Sequence, residues 1–187
     1  MKKLKFALAY FLTTSIALAQ GVNTVGGLTV EACSGVGASS ALSVTASSAY
    51  AINSQVGALI SLNPSFRGVG SNPPDSGGIV QSVRLNTKDV QTAGFKAYQL
   101  TASPIASTFT NGLVPVIGAS DVFKARGPVT LTSNDSGLGT MTVYELDAIA
   151  RAHVASGATD YWILVTTGTP TFTISGDIQF CVTYLVD

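Results

Sequence analysis

The C-terminal part of the chain alternates between apolar and polar positions with almost no error. From Thr171 onward, the odd positions are mostly polar, and the even positions carry Phe172, Ile174, Gly176, Ile178, Phe180, Val182, Tyr184 and Val186. A period of two is typical of a β-strand with one buried and one solvated face. The pattern predicts a long C-terminal strand that carries Cys181 on its solvated face.

Shorter runs of the same kind recur along the chain, separated by clusters of glycine, proline and asparagine. They predict strands near residues 28–33, 41–45, 56–62, 79–85, 95–101, 122–124, 129–132, 140–144 and 161–167. The apolar run 113–117 contains Pro115, which limits it to an edge strand or a bulge. In the run 79–85, Ile79, Val83 and Leu85 are expected to share one face. The clearest loop is 64–78, which is rich in turn-forming residues. Many short strands with turns between them predict an all-β chain, folded as an antiparallel β-sandwich or jelly-roll-like domain.

One segment departs from the period of two. Between residues 145 and 155 the spacing is helical, with members at Leu146, Ile149, Ala150, His153 and Val154. Such spacing predicts a short amphipathic helix, with Gly157 as its stop and Glu145 and Asp147 in its first turn.

The N-terminal residues have the pattern of a secretory signal peptide. Three lysines precede an apolar stretch at 6–18, and Ala17-Leu18-Ala19 forms a small-x-small cleavage site. We expect cleavage after Ala19, with an uncleaved anchor as the alternative. The predicted organisation is a leader at 1–19, an extended segment at 20–34 and a β-sandwich domain at 35–187. The protein is expected to be secreted or at the cell surface, and not integral to a membrane once the leader is removed.

Charged residues make up only 11% of the chain, against about 25% in typical proteins. Loss of the three leader lysines leaves seven basic against ten acidic residues, a net charge of about −3. This balance argues against nucleic acid and anionic membranes as partners, because both require a basic surface. So few charges suit a surface that is covered by another protein, and copies of the same chain are the expected partners.

Two cysteines in an exported chain predict one disulfide, Cys33–Cys181. Like Cys181, Cys33 lies opposite the apolar face of its own strand. Two alternatives follow. The bond joins the first and last strands of one chain as sheet neighbours, or it joins two subunits if the first strand is lent to a neighbour.

The sequence contains no recognisable catalytic constellation. Its sole histidine, His153, lies in the helical pattern, and no Gly-x-Ser-x-Gly elbow is present. Two cysteines and one histidine are too few good ligands for zinc. We therefore predict no enzymatic activity, no cofactor and no metal site. A secreted hydrolase would require His153 and a serine, or scattered acidic residues, to converge in a cleft.

These features favour a structural subunit of an extracellular filament, pilus or surface layer that assembles through β-strand exchange. Residues 20–34 are the candidate donor segment, with possible plug residues Val22, Val25, Leu28 and Val30. The alternative is a monomeric secreted carbohydrate-binding or adhesin module with a glycan ligand, its site on loops such as 64–78. The aromatic residues that could form a sugar-stacking platform are Tyr50, Phe66 and Tyr98. Each of them is better explained as a core residue.

Overall fold

The computed structural model describes residues 29–34, 42, 44–64, 77–134, 142–147, 149, 151–155, 158–173 and 178–186. The predicted leader, Val22, Val25, Leu28, Phe66 and most of the loop 64–78 lie outside the described residues. The strands are β1 (Thr29–Cys33), β2 (Ile60–Leu62), β3 (Gly77–Thr87), β4 (Phe95–Leu100), β5 (Val129–Leu131), β6 (Ser133–Asn134), β7 (Thr142–Leu146), β8 (Arg151–Ala155), β9 (Asp160–Thr166) and β10 (Ile178–Val186). A 3₁₀ turn spans Val122–Lys124.

The strands form two antiparallel sheets. The first has the order β1-β10-β3-β7-β6, with β8 also paired to β3, and the second has the order β2-β9-β4-β5. Within each sheet, every pairing of the named strands is antiparallel. The predicted all-β, sandwich-like class is confirmed.

The main core lies between the two sheets, because each turns alternate apolar side chains toward the other. Two aromatic pairs cross the interface: the ring centroids of Phe95 and Tyr144 are 5.1 Å apart, and those of Trp162 and Phe180 are 5.6 Å apart. The alternation predicted for the C-terminal strand holds in β10, whose core residues are Ile178, Phe180, Val182 and Tyr184. Thr171 and Phe172 form isolated bridges instead of extending this strand.

The helix predicted at 145–155 is wrong. The segment contains the end of β7 and the whole of β8, which lie one after the other along the same side of β3. Leu146 pairs with Val83 and Arg151 with Val80, so four residues of this segment correspond to two residues of β3, which is a bulged register. The Ile149 amide donates to the Gln81 carbonyl at 2.9 Å. Residues inserted at a bulge displace the period of two, so apolar side chains recur three or four positions apart. Pairing with β3 therefore overrides a local pattern that resembles a helix.

A second bulge corrects the predicted face of β3. In the register with β10, Thr183 pairs with Ser82 and Tyr184 pairs with Val80, so Gln81 is an extra residue of β3. The extra residue reverses the alternation, so that Val80 and Val83 both face the core while Ile79 is 36% exposed. Ile79 does not share a face with Val83 and Leu85, as its position in the sequence had indicated.

Residues 101–128 connect β4 to β5 and cover the outer face of the second sheet; we call this segment the excursion. Phe109 and Ile117 from the excursion pack against a second buried cluster that includes Ile163 and Val165 of β9. Strand β9 is therefore buried on both faces, which explains its uninterrupted apolar run. Within the excursion, the run 113–117, predicted as an edge strand or a bulge, contributes only an isolated bridge. Residues 122–124 form the 3₁₀ turn instead of the predicted strand. Of the strand predicted at 41–45, the described residues 42, 44 and 45 do not belong to any strand.

One buried carboxylate links the two sheets. Asp160 Oδ1 accepts a hydrogen bond from Gln99 Nε2 at 2.9 Å, and Oδ2 accepts from Trp162 Nε1 and from the Tyr184 hydroxyl, both at 2.7 Å. Tyr184 lies on β10, in the opposite sheet. Burial raises the pKa of Asp160, although these three donors act in the opposite direction. Burial, followed by the neighbouring Asp160 carboxylate, also raises the pKa of Tyr184.

We expect Asp160→Asn to weaken the pH dependence of stability. Because folding raises the pKa of Asp160, its contribution is full below the unfolded value of about 4 and falls as pH rises through the folded value. Asparagine does not titrate, keeps an acceptor for Trp162 and Tyr184, and can donate to Gln99 Oε1, which has no partner among the described residues. Urea unfolding between pH 4 and 8 should therefore give a flatter profile for the variant than for wild type.

Asp160→Ala is the contrasting variant, because it leaves buried donors without an acceptor. We expect it to lower the free energy of unfolding by about 3 kcal/mol at pH 5. Equal pH profiles for wild type and Asp160→Asn would contradict the role assigned to this carboxylate.

Candidate functional site

Strand β1 forms one edge of the first sheet. It pairs with β10 over five positions, from Thr29 opposite Leu185 to Cys33 opposite Cys181. Val30 is partly buried against the core of its own chain, as is Ala32. The predicted alternation of the first strand therefore holds, and the two ends of the described chain lie side by side.

The predicted disulfide is confirmed, and it closes within one chain. Cys33 and Cys181 face each other directly across β1 and β10, and their bond spans 148 residues of sequence. The expectation that Cys181 lies on a solvated face needs correction, because this residue is only 1% exposed. It faces away from the core, but it lies between Cys33 on one side and Arg84 of β3 on the other.

An ion pair crosses the same face of the sheet. Arg84 Nη2 lies 2.6 Å from Glu31 Oε1, so the pair reaches from β3 over β10 to β1. The side-chain ligand atoms of Glu31, Cys33 and Cys181 lie within 4.8 Å of one another. Both sulfur atoms belong to the disulfide and provide no thiolate, so this group is an anchor for β1 rather than a metal site.

Strand β1 directs part of its main chain toward its outer side, away from β10. The Ser34 amide donates to the Phe180 carbonyl at 2.7 Å, which identifies Cys33–Cys181 as a non-hydrogen-bonded pair of the ladder. Since such pairs alternate with hydrogen-bonded pairs, Thr29, Glu31 and Cys33 direct their N–H and C=O groups away from β10. Within the described part of the chain, no strand pairs with this outer side.

The other outer strands are poorer templates for pairing. Strands β2 and β5 have three residues each and β6 has two, whereas β1 and β8 have five. Strand β8 contains Arg151, and charged residues at an edge discourage pairing with another strand. Strand β1 has the sequence Thr-Val-Glu-Ala-Cys, with no lysine, glycine or proline.

A single carboxylate organises the excursion. The buried Asp121 accepts hydrogen bonds from the Ile105 and Ala106 amides and from the Ser107 hydroxyl, at 2.7–3.2 Å. Lys124 Nζ lies 2.8 Å from Oδ1 of the Asp121 carboxylate. The Lys124 ammonium is the main cause that holds the pKa of Asp121 far below its usual range, and the amide and hydroxyl donors act in the same direction. The pattern of apolar residues did not reveal this role, because the partners are non-local amides.

The excursion also displays apolar side chains to solvent. Its residues 101–120 contain no charged side chain. Phe123 is 95% exposed, and the other large exposed apolar residues of the excursion are Ile105, Leu113, Val114, Val116 and Val122. Single exposed apolar residues are common on protein surfaces, whereas contiguous apolar patches mark interaction sites.

The remaining candidates from the sequence do not converge on a site. Tyr50 is buried, and its hydroxyl donates to Asn111 Oδ1 at 2.6 Å, beside a cavity of about 120 Å³ that Ser48 and Gly112 also line. Tyr98 is half-buried against the second buried cluster, the one that includes Ile163 and Val165. His153 is in β8, where only the backbone is described. No helix in the described ranges has the length and apolar character needed to cross a bilayer.

We expect Cys33→Ser combined with Cys181→Ser to lower the free energy of unfolding by up to about 5 kcal/mol, because the disulfide closes a very long loop. The control Glu31→Gln removes only the exposed ion pair and should cost less than about 1 kcal/mol. Urea unfolding without reductant measures both. Equal losses in the two variants would contradict the view that the disulfide is the main anchor of β1.

We expect Asp121→Ala to loosen the excursion while leaving the sheets intact. Hydrogen exchange should accelerate at the Ile105 and Ala106 amides, whereas β10 should remain protected. Ser107→Ala, which removes one donor and keeps the carboxylate, is the control. Because folding lowers the pKa of Asp121, its stabilising contribution is full above the unfolded value of about 4 and is lost only in stronger acid. Unchanged exchange in Asp121→Ala at pH 7 would contradict this role.

Comparison with known proteins provides no relative for this fold or for its open edge. No family model, no curated protein and no solved structure matches the chain. Function is therefore inferred from the geometry of β1 and the excursion.

Proposed function

We propose that the protein is a structural subunit of an extracellular filament, pilus or surface layer, joined to its neighbours by β-strand exchange. The observation that carries this proposal is the open outer side of β1, which directs main-chain donors and acceptors away from its own sheet. Pairing with an added strand uses main-chain hydrogen bonds for affinity and alternate side chains for specificity.

The low charge of the chain supports the same proposal. Soluble β proteins usually place charges at sheet edges to prevent pairing between molecules. Here the only charge of β1, on Glu31, is paired with Arg84 inside the subunit. The exposed apolar residues of the excursion offer further contact area between packed subunits. An uncharged sheet edge and exposed apolar residues would stabilise an assembly of subunits, whereas in a monomeric protein they would promote unwanted association.

The predicted leader and the disulfide support an extracellular location. Disulfides form and persist in oxidising compartments, which include the cell surface and the bacterial periplasm. A subunit exposed to the medium also benefits from a covalent link between its first and last strands. The proposal includes no catalytic activity, cofactor or nucleic acid.

A second candidate is a monomeric secreted adhesin or carbohydrate-binding module. The observation that favours it is Phe123, an almost fully exposed aromatic ring on the well-anchored excursion. A sugar ring could stack on such a side chain. In this case Phe123→Ala would abolish glycan binding, and the purified protein would not self-associate.

Negative-stain electron microscopy of the leaderless protein, purified without reductant, separates the two candidates. Regular filaments or sheets are expected under the proposed function. Dispersed monomers that bind a glycan in a screen would overturn it and support the adhesin.

We expect Val25→Asp to raise the protein concentration needed for assembly by at least about tenfold, the equivalent of about 1.4 kcal/mol. The substitution places a charge at an apolar position of the candidate donor segment, where association would bury it. Asn23→Asp, which adds the same charge at a polar position, is the matched control and should assemble nearly as wild type does. Light scattering against concentration measures the effect, and equal behaviour of the two variants would contradict a donor role for this segment.

A further inference from the structure

We infer that the outer side of β1 is the acceptor in this assembly and that residues 20–28 of a second copy are the strand that occupies it. The inference rests on the proposed function and identifies the two surfaces that meet. It divides the candidate donor segment 20–34 into a part that is exchanged and a part, β1, that remains in its own subunit.

Strand β1 is fastened to its own sheet at several points. Besides the disulfide and the Arg84–Glu31 pair, the Ser34 hydroxyl accepts a hydrogen bond from the Phe180 amide at 3.0 Å. Exchange of β1 itself would require the disulfide to open and re-form between subunits. An acceptor held in place in this way loses little conformational entropy on binding, which favours addition of a new strand over replacement of β1.

The acceptor has the features of an edge prepared for pairing. Its five residues span about 17 Å and turn three N–H and three C=O groups outward, on Thr29, Glu31 and Cys33. Val30 and Ala32 are only partly buried, so an added strand would cover the apolar surface that they still expose. Pairing would therefore satisfy the open main chain and bury apolar area at the same time.

The occupant is indicated by the sequence that directly precedes β1. Residues 20–28 read Gln-Gly-Val-Asn-Thr-Val-Gly-Gly-Leu and have no charged side chain. If cleavage occurs after Ala19, these nine residues precede β1 and have an extended length of about 30 Å, enough to follow the whole acceptor with several residues to spare. Donor and acceptor are different surfaces of the same chain, so each subunit can receive one strand and provide another. Such a heterologous contact generates an open polymer when its rotation does not close into a ring.

Glu31→Pro tests the acceptor without removing a main-chain hydrogen bond from the subunit, although it also removes the Arg84–Glu31 ion pair. The Glu31 amide points outward, so proline at this position removes a donor from the open side but none from the ladder with β10. The matched control is Glu31→Gln, which removes the charge and keeps the N–H group. We expect Glu31→Pro to remain monomeric at concentrations at which Glu31→Gln assembles, with both variants folded by circular dichroism. Thr29→Pro, at the other end of β1, is a second variant of the same design should Glu31→Pro fail to fold.

A mixing experiment identifies the occupant. A chain that lacks residues 20–28 retains an acceptor but no donor, whereas Glu31→Pro retains a donor but no acceptor. Neither variant should form filaments alone, and their mixture should form a one-to-one dimer by analytical ultracentrifugation. Absence of this dimer, with both variants folded, would overturn the inference.

The remaining outcomes separate failure of the inference from failure of the proposed function. Wild-type filaments that dissolve to monomers on non-reducing denaturing gels are expected, because the disulfide stays within each subunit. A ladder of disulfide-linked oligomers would show that β1 itself is exchanged, which overturns the inference and preserves the proposed function. Filaments formed by Glu31→Pro at the concentration at which wild type assembles would also overturn the inference and preserve the proposed function. Wild-type protein that never assembles would overturn both.

Discussion

The antiparallel pairing of β10 between β1 and β3 is the arrangement on which the rest of this domain depends. It places the last strand of the chain beside the first described strand, where the disulfide can form. The same strand supplies Phe180 to the core and Tyr184 to the buried carboxylate of Asp160. Covalent closure, apolar packing and the polar link between the sheets thus converge on one strand, whose displacement would disturb all three.

Two buried aspartates show how the surroundings decide the behaviour of the same side chain. Asp160 lies between the sheets with neutral donors only, and the cost of burying its charge dominates, so its pKa is raised. Asp121 has an ammonium group and two amides in contact, and its pKa is lowered. The first links the two layers of the sandwich, and the second holds the excursion in place over the second sheet. Each carboxylate thus fixes the position of a part of the molecule that packing of the apolar core alone would not fix.

An open sheet edge is usually a hazard that proteins block with charge, proline or a short strand. In this domain the short strands β2, β5 and β6 follow that rule, while β1 is longer and has its one charge neutralised from within. Under the proposed function, this difference would give assembly a direction, because β1 would be the more favourable edge for an added strand. The proposed filament and the intrachain disulfide are compatible because the disulfide holds the acceptor and leaves the preceding residues to reach a neighbour.

Elements with a local and regular pattern were predictable from the amino-acid sequence. The alternation in β10 predicted the core faces of Phe180, Val182 and Tyr184, and two cysteines on the outward faces of their strands predicted the disulfide. Tertiary structure alone decided where that regularity is interrupted. The strand pair that replaces the helix at 145–155, and the core position of Val80, depend on bulges whose register is set by partner strands distant in sequence. The partners of Asp160 and Asp121 were likewise beyond sequence reasoning, because hydrogen bonds between distant residues leave no period along the chain.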